Sequence, residues 1–195
     1  MPLVIGLCGA KGSGKDQFYW AAKTAFPQLD VRKIAYADPI KDEVCRIFNL
    51  KSEIEYDMFK RTTLKFTMQD YTRREVDGRQ AVREIGMLMR KYDSQQFVRY
   101  VEDTINANPQ ALWIITDLRF DNELESIKNN LEGIVIKIKR NGFGYDGHIT
   151  ETEFDDEQCN SIIHNNNLTL QQYNELVVAE MNKILQTLAL MKERA

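Results

Sequence analysis

Apolar residues along this chain follow two rhythms. Leu3-Val4-Ile5-Gly6-Leu7-Cys8, Ala111-Leu112-Trp113-Ile114-Ile115-Thr116 and Ile134-Val135-Ile136-Lys137-Ile138 are nearly unbroken runs with no period of two. That pattern belongs to strands covered on both faces of a sheet. Val31 to Tyr36 and Ser161-Ile162-Ile163 read as further short strands. Between the runs the spacing changes to that of amphipathic helices. Phe18, Ala21, Ala22 and Ala25 share a face over 17–25, and Pro27 ends that helix. Ala37-Asp38-Pro39 reads as an N-cap at Asp38 followed by Pro at the first helical position, opening a helix to about Phe48. Asp77 caps a helix carrying Arg79 to Lys91, and others run from about Ser94 to Asn106 and from Asn122 to Leu131, where Gly133 breaks the pattern. The last helix, Leu168 to about Lys192, gathers Leu170, Tyr173, Leu176, Val177, Met181, Ile184, Leu185 and Leu188 on one side. That side can pack inward or against a second copy of the chain.

Strands alternating with helices predict an α/β domain around a parallel sheet. Residues 49 to about 76 are polar and weakly periodic, and read as helical pieces and loops outside the sheet. Residues 140–158, rich in Gly, His and acidic side chains, read as a mobile loop.

Composition adds exclusions. The 195 residues suit one substantial core, and 43% hydrophobic with 28% charged residues is ordinary for a globular protein. A net charge of −3 argues against a nucleic-acid coat protein. Three widely spaced cysteines, Cys8, Cys45 and Cys159, suit a reducing cytoplasm and argue against a disulfide framework or a zinc site. No basic leader precedes the first strand, and no apolar run approaches the roughly 20 residues of a membrane span.

The chemistry begins after the first strand. Gly9-Ala10-Lys11-Gly12-Ser13-Gly14-Lys15-Asp16 fits the phosphate-loop pattern G-x-x-x-x-G-K-[S/T], with Asp16 where a hydroxyl is expected. Glycines let backbone N–H groups surround phosphate oxygens, and the following helix adds its positive end. Lys15 would bridge the outer phosphates of a nucleoside triphosphate. Asp117 ends the strongest strand at the expected sheet edge, where Mg²⁺ on a nucleotide would sit, with a helix cap or a pair with Arg119 as the structural alternative. Asp16 is a second carboxylate for that metal. Arg79, Arg83 and Arg90 lie on one helical face with Gly86 among them, a stripe suited to an oxyanion or, more simply, to solvent. Arg119 and Arg140 follow successive strands and converge on the crevice where open α/β sheets bind ligands. His148 lies in the loop that Arg140 opens.

Taken in order, the G-K-D loop, Tyr36-Ala37-Asp38-Pro39-Ile40-Lys41, Arg79 to Arg90 with Gly86, Thr116-Asp117-Leu118-Arg119-Phe120-Asp121-Asn122-Glu123, and His148-Ile149-Thr150-Glu151 resemble the deoxynucleoside monophosphate kinases of bacteriophages and related bacteria. The resemblance runs from Leu3 to the final helix. It implies a three-layer P-loop kinase fold with a helical acceptor-binding insertion at 49–107 and a lid at 140–159. It also implies Mg²⁺-dependent transfer from ATP to a deoxynucleoside monophosphate, in the cytoplasm of a cell or of a phage's host. By the same likeness Lys15, Arg119 and Arg140 are catalytic and the loop Gly9 to Asp16 holds ATP. Asp38, Arg79, Arg83, Gly86, Arg90, Asp117, Arg119, Glu123, His148 and Glu151 lie at the acceptor, with Glu123 supporting Arg119. Arg83 and Met87 depart from the family pattern near the acceptor pocket, which leaves the preferred base open.

The expected mechanism suits this inventory. A monophosphate has its second pKa near 6, so its attacking oxygen is already ionised at neutral pH and no strong base is required. Kinases of the phosphomevalonate type share the G-K-D loop and the Asp–Arg strand end. A nucleotide-dependent switch is the non-catalytic alternative, although the guanine-reading N-K-x-D is absent from the sequence.

Overall fold

The structure, a computed structural model, describes residues 2–67, 71–142 and 154–192. His148 and Glu151, and most of the segment read as a lid, lie outside these residues. Two compact units emerge: Met1–Ala35 with Val101–Ala195, and Tyr36–Tyr100.

The first unit is built on five parallel strands, β1 (Leu3–Cys8), β2 (Val31–Ile34), β5 (Leu112–Ile115), β6 (Ile134–Lys139) and β7 (Ser161–His164), in the order β2-β5-β1-β6-β7. Register is set by the apolar runs: Ile5 pairs with Ile114 on one side and Ile134 on the other. On one face α1 (Lys15–Ala25) packs with α7 (Leu170–Lys192), and Phe18, Ala22, Tyr173, Val177 and Met181 close over Ile5, Leu7, Ile114, Ile136 and Ile138. On the apolar side of the last helix Tyr173, Val177, Met181 and Ile184 are buried in this core, while Leu170 and Leu176 are exposed. On the other face Gly6 makes room for Ile127, whose Cδ1 would stand 2.4 Å from a Cβ at that position. Ile127 belongs to a π-helical turn, Ser126–Asn130, that continues α6 (Asp121–Glu125). The expected helix from Asn122 to Leu131 is thus a short α-helix widened into a π turn. Ser126 and Asn130, on that turn, both donate to the Glu102 carboxylate, at 2.5 and 2.7 Å. Glu102 lies on α5 (Gln96–Asn106).

The connection from β1 leads toward β2, and that from β6 leads to β7 at the opposite edge. The segments following β1 and β6 therefore diverge, which opens a crevice at the carboxyl ends of the strands.

The second unit holds α2 (Asp38–Ile47), α3 (Glu53–Phe59), β3 (Thr63–Thr67), β4 (Arg73–Asp77) and α4 (Gly78–Tyr92). Two expectations need correction. The stretch read as helical pieces and loops contains an antiparallel hairpin, with Leu64 opposite Val76 and Lys65 opposite Glu75. Its strands expose most side chains to solvent, so no alternation marked them in the sequence. Asp38 is not the N-cap of α2. Ala37 occupies that position in a right-handed helical conformation (φ −82°, ψ −2°), makes no side-chain cap, and leaves Asp38 as an acidic first-turn residue, where the helix dipole favours it. Asp77 does cap α4, accepting from the Gln80 N–H at 2.8 Å.

Candidate functional site

From Cys8 the chain turns through Gly9, Gly12 and Gly14, with φ values of 136°, 80° and 119°. Side chains rarely adopt such values. At Gly9 a Cβ would also lie 2.3 Å from the Ile138 carbonyl oxygen. The loop is held from outside by its carbonyls. Arg140 Nη1 donates to Gly12 O at 3.0 Å, Asn165 Nδ2 to Ser13 O at 2.8 Å, and the Tyr173 hydroxyl to Gly14 O at 3.0 Å. These donors follow β6, follow β7 and sit in the first turn of α7. The first N–H groups of α1 have no intrahelical acceptor and carry the helix's positive end, the arrangement that receives an anion. Ser13 Oγ is buried in the loop and has no partner among the described residues, leaving one more donor for a group held there.

Lys15 folds back over the loop, donating to the carbonyls of Gly9 at 2.6 Å and Ala10 at 2.8 Å. Burial, followed by the positive charge of Arg119, lowers its ammonium to about 8, while Asp16 and Asp117 pull it back up. Lys15, Asp16, Asp117 and Arg119 therefore share one electrostatic neighbourhood at the carboxyl ends of β1 and β5. Arg119 sits on braced backbone. Glu123 is fully buried, and its Oε2 accepts from the N–H groups of Arg119 at 2.9 Å and Phe120 at 3.1 Å. Asp16 is three-quarters exposed and paired with Lys33 at 3.4 Å. Among the described residues no three His, Cys, Asp or Glu side chains gather as a metal site.

In the second unit Arg79, Arg83, Gly86 and Arg90 lie on α4 as their spacing requires. Beside Gly86 lies Ile40, whose Cδ1 would stand 2.7 Å from a Cβ, so α4 packs closely on α2 there. Arg90 stacks on Phe97, 4.4 Å from the ring centroid. Tyr56 is pushed up to about 12, mainly by burial, with Arg79 pulling it down; Lys60 and Lys41 lie 4.5 and 5.9 Å from its ring.

Sequence reasoning missed Asn165 and Tyr173. The polar triplet Asn165-Asn166-Asn167 at the carboxyl end of an apolar strand was the available signal. Nothing local marks Tyr173, which reads as one more apolar position on α7.

No protein-family model matches the chain. Over 192 residues it is 28% identical to a protein of Acanthamoeba polyphaga mimivirus named "Putative deoxynucleotide monophosphate kinase", covering 91% of this chain and 95% of that one. Among solved structures, a mutant APS kinase from Mycobacterium tuberculosis is 8% identical with a TM-score of 0.47, covering 93% of this chain and 97% of that one. A sugar kinase from Janibacter sp. is 11% identical with a TM-score of 0.48, covering 95% of each. Among the described residues no helix is long and apolar enough to cross a membrane.

Proposed function

We propose that this chain is a P-loop kinase that moves the γ-phosphoryl group of ATP onto the phosphate of a deoxynucleoside 5′-monophosphate, giving the diphosphate. The observation that carries the reading is the gathering of Lys15, Asp117 and Arg119 beside a loop whose carbonyls are engaged from outside. The name of the mimiviral relative supports the choice of acceptor.

In this reading the loop N–H groups and Lys15 receive the ATP phosphates, and Lys15 exchanges its bonds to Gly9 and Ala10 for phosphate oxygens. Arg119 presents its guanidinium to the acceptor phosphate, for which its two parallel donors are suited. Because the acceptor oxygen is already ionised, the protein's task is to align two polyanions and offset their repulsion. Arg79, Arg83, Gly86, Arg90 and Asp38 are assigned to the acceptor nucleotide on the family resemblance alone.

Mg²⁺ bound to a nucleotide takes one or two carboxylates and fills its remaining positions with phosphate oxygens and water. Asp16, exposed and only loosely paired, and Asp117 fit that requirement and are the residues that would hold it. The ion would neutralise charge on the phosphates being transferred.

A coupled assay for ADP with ATP and each of dAMP, dCMP, dGMP, dTMP and hydroxymethyl-dCMP tests the reading. Turnover with at least one of them is expected. ADP at background with all of them, alongside turnover on a phosphorylated non-nucleotide such as phosphomevalonate, would favour the metabolite-kinase alternative.

A further inference from the structure

Two thiols 151 positions apart in sequence meet at the foot of the phosphate loop. Cys8 is the last residue of β1, directly before Gly9, and its sulfur lies 3.7 Å from that of Cys159. Both are free thiols. Each is mounted on fixed backbone. β1 is paired with β5 and β6 on its two sides. Cys159 follows the 3₁₀ turn Asp156–Gln158, and its N–H bonds the Asp156 carbonyl at 3.0 Å. The next residue, Asn160, is double-bonded to β6: its N–H donates to Val135 O and its Oδ1 accepts from Val135 N, both at 2.8 Å. Asp156 ties the same turn to Lys137 at 2.9 Å and Lys139 at 2.6 Å. A disulfide brings its sulfurs to about 2.05 Å. The movement needed to close from 3.7 Å falls to Cys159, which is partly exposed on a short turn, because β1 is paired with strands on both sides.

We propose that Cys8 and Cys159 are a modification site, a dithiol that a peroxide converts to an intramolecular disulfide. Exposure sets the order of events. Cys159 is partly exposed, whereas Cys8 is 1% exposed. Burial, and then Cys159 itself, pushes the Cys8 thiol up, with Lys137 and Lys15 opposing. Cys159 is therefore the sulfur that meets the oxidant. Its thiolate attacks one peroxide oxygen, the O–O bond breaks, hydroxide leaves, and a sulfenic acid forms. The Cys8 sulfur then attacks Cys159, the S–O bond breaks, and the Cys8 proton leaves with that oxygen as water. Two thiols and one hydrogen peroxide become one disulfide and two waters, and an external thiol reverses the change. The site stands on the geometry of β1 and the 155–160 turn, independently of the reaction proposed above.

Mass spectrometry of the full chain tests this after treatment with equimolar hydrogen peroxide, alkylation of remaining thiols and digestion without reductant. The expected product is one linked peptide containing Cys8 and Cys159, two hydrogen atoms lighter than its reduced parts and separated by dithiothreitol. Cys45→Ser should leave the link intact and Cys159→Ser should abolish it. Cys159→Ser is the informative variant because its position is partly exposed, whereas Cys8→Ser disturbs the core. Recovery of Cys8 in alkylated form, with Cys159 ending as sulfinic acid or as a link between two chains, would overturn the proposal.

Discussion

Asn165 donates its side-chain amide to the Ser13 carbonyl at 2.8 Å in a buried bond that joins the end of the last strand to the phosphate loop 152 positions earlier. Tyr173 repeats the arrangement one residue further on, at Gly14. The loop is thus a shape imposed by the carboxyl-terminal third of the fold. That prior ordering spares a ligand the cost of organising it.

Asn165→Ala leaves the Ser13 carbonyl buried without its donor, at a cost of about 1–3 kcal/mol. Tyr173→Phe removes one hydroxyl and keeps the ring in the core, so about 1 kcal/mol is expected. Both should weaken ATP binding, Asn165→Ala by on the order of tenfold, equivalent to about 1.4 kcal/mol. Urea titration with binding calorimetry separates the two effects. Unchanged affinity in both variants would show that the loop holds its form without these bonds.

Lys15 gives the pH dependence. Its folded value of about 8 lies below the ordinary 10.5, so the neutral amine is favoured in the folded, unliganded protein from about pH 8 upward. Phosphate requires the ammonium. ATP affinity should therefore fall as pH rises through about 8, and binding in that range should take up a proton, measurable as a buffer-dependent binding enthalpy. For stability the sign is the reverse: burying the charged amine weakens the fold below about 8, and that cost is relieved between about 8 and 10.5. Lys15→Arg should lose the proton uptake, because guanidinium stays charged. Arg119→Ala should move the onset upward only in part, since burial is the larger cause.

Arg119→Ala should lower transfer by on the order of a thousandfold while ATP binding is nearly kept. Glu123→Ala reaches the same residue from behind. It strips the acceptor from two backbone N–H groups, costs about 2 kcal/mol, and should lower turnover through a displaced Arg119. Equal losses of transfer and ATP binding in Arg119→Ala would place that guanidinium on the donor.

Much of this site was legible in the sequence because its parts are local. Each unbroken apolar run became a strand, and the loop, Asp117 and Arg119 follow from strand ends and spacing. The hairpin at β3 and β4 was not legible, since exposed strands such as Arg73–Asp77 carry no apolar alternation. Nor was the close approach of Ile40 to Gly86, which depends on how α2 packs on α4 and has no mark in the spacing of the arginines. The Asn165, Tyr173 and Cys159 contacts are long-range products of strand order, and no local pattern encodes them.

Gly9→Ala tests whether the loop tolerates any side chain. The added Cβ meets the Ile138 carbonyl oxygen at 2.3 Å on backbone of positive φ. A loss of about 3 kcal/mol or more is expected, with ATP binding abolished. Near-normal thermal stability with retained binding would contradict the loop geometry described above.

The most direct measurement follows the phosphorus atom itself. ATP labelled at the γ-phosphate is incubated with Mg²⁺, the full chain and each deoxynucleoside monophosphate in turn, and the products are separated. Label is expected in the β-phosphate of a deoxynucleoside diphosphate with an equal yield of ADP, and on the order of a thousandfold more slowly with Arg119→Ala. Label found only in inorganic phosphate, or remaining in ATP with every acceptor, would contradict it.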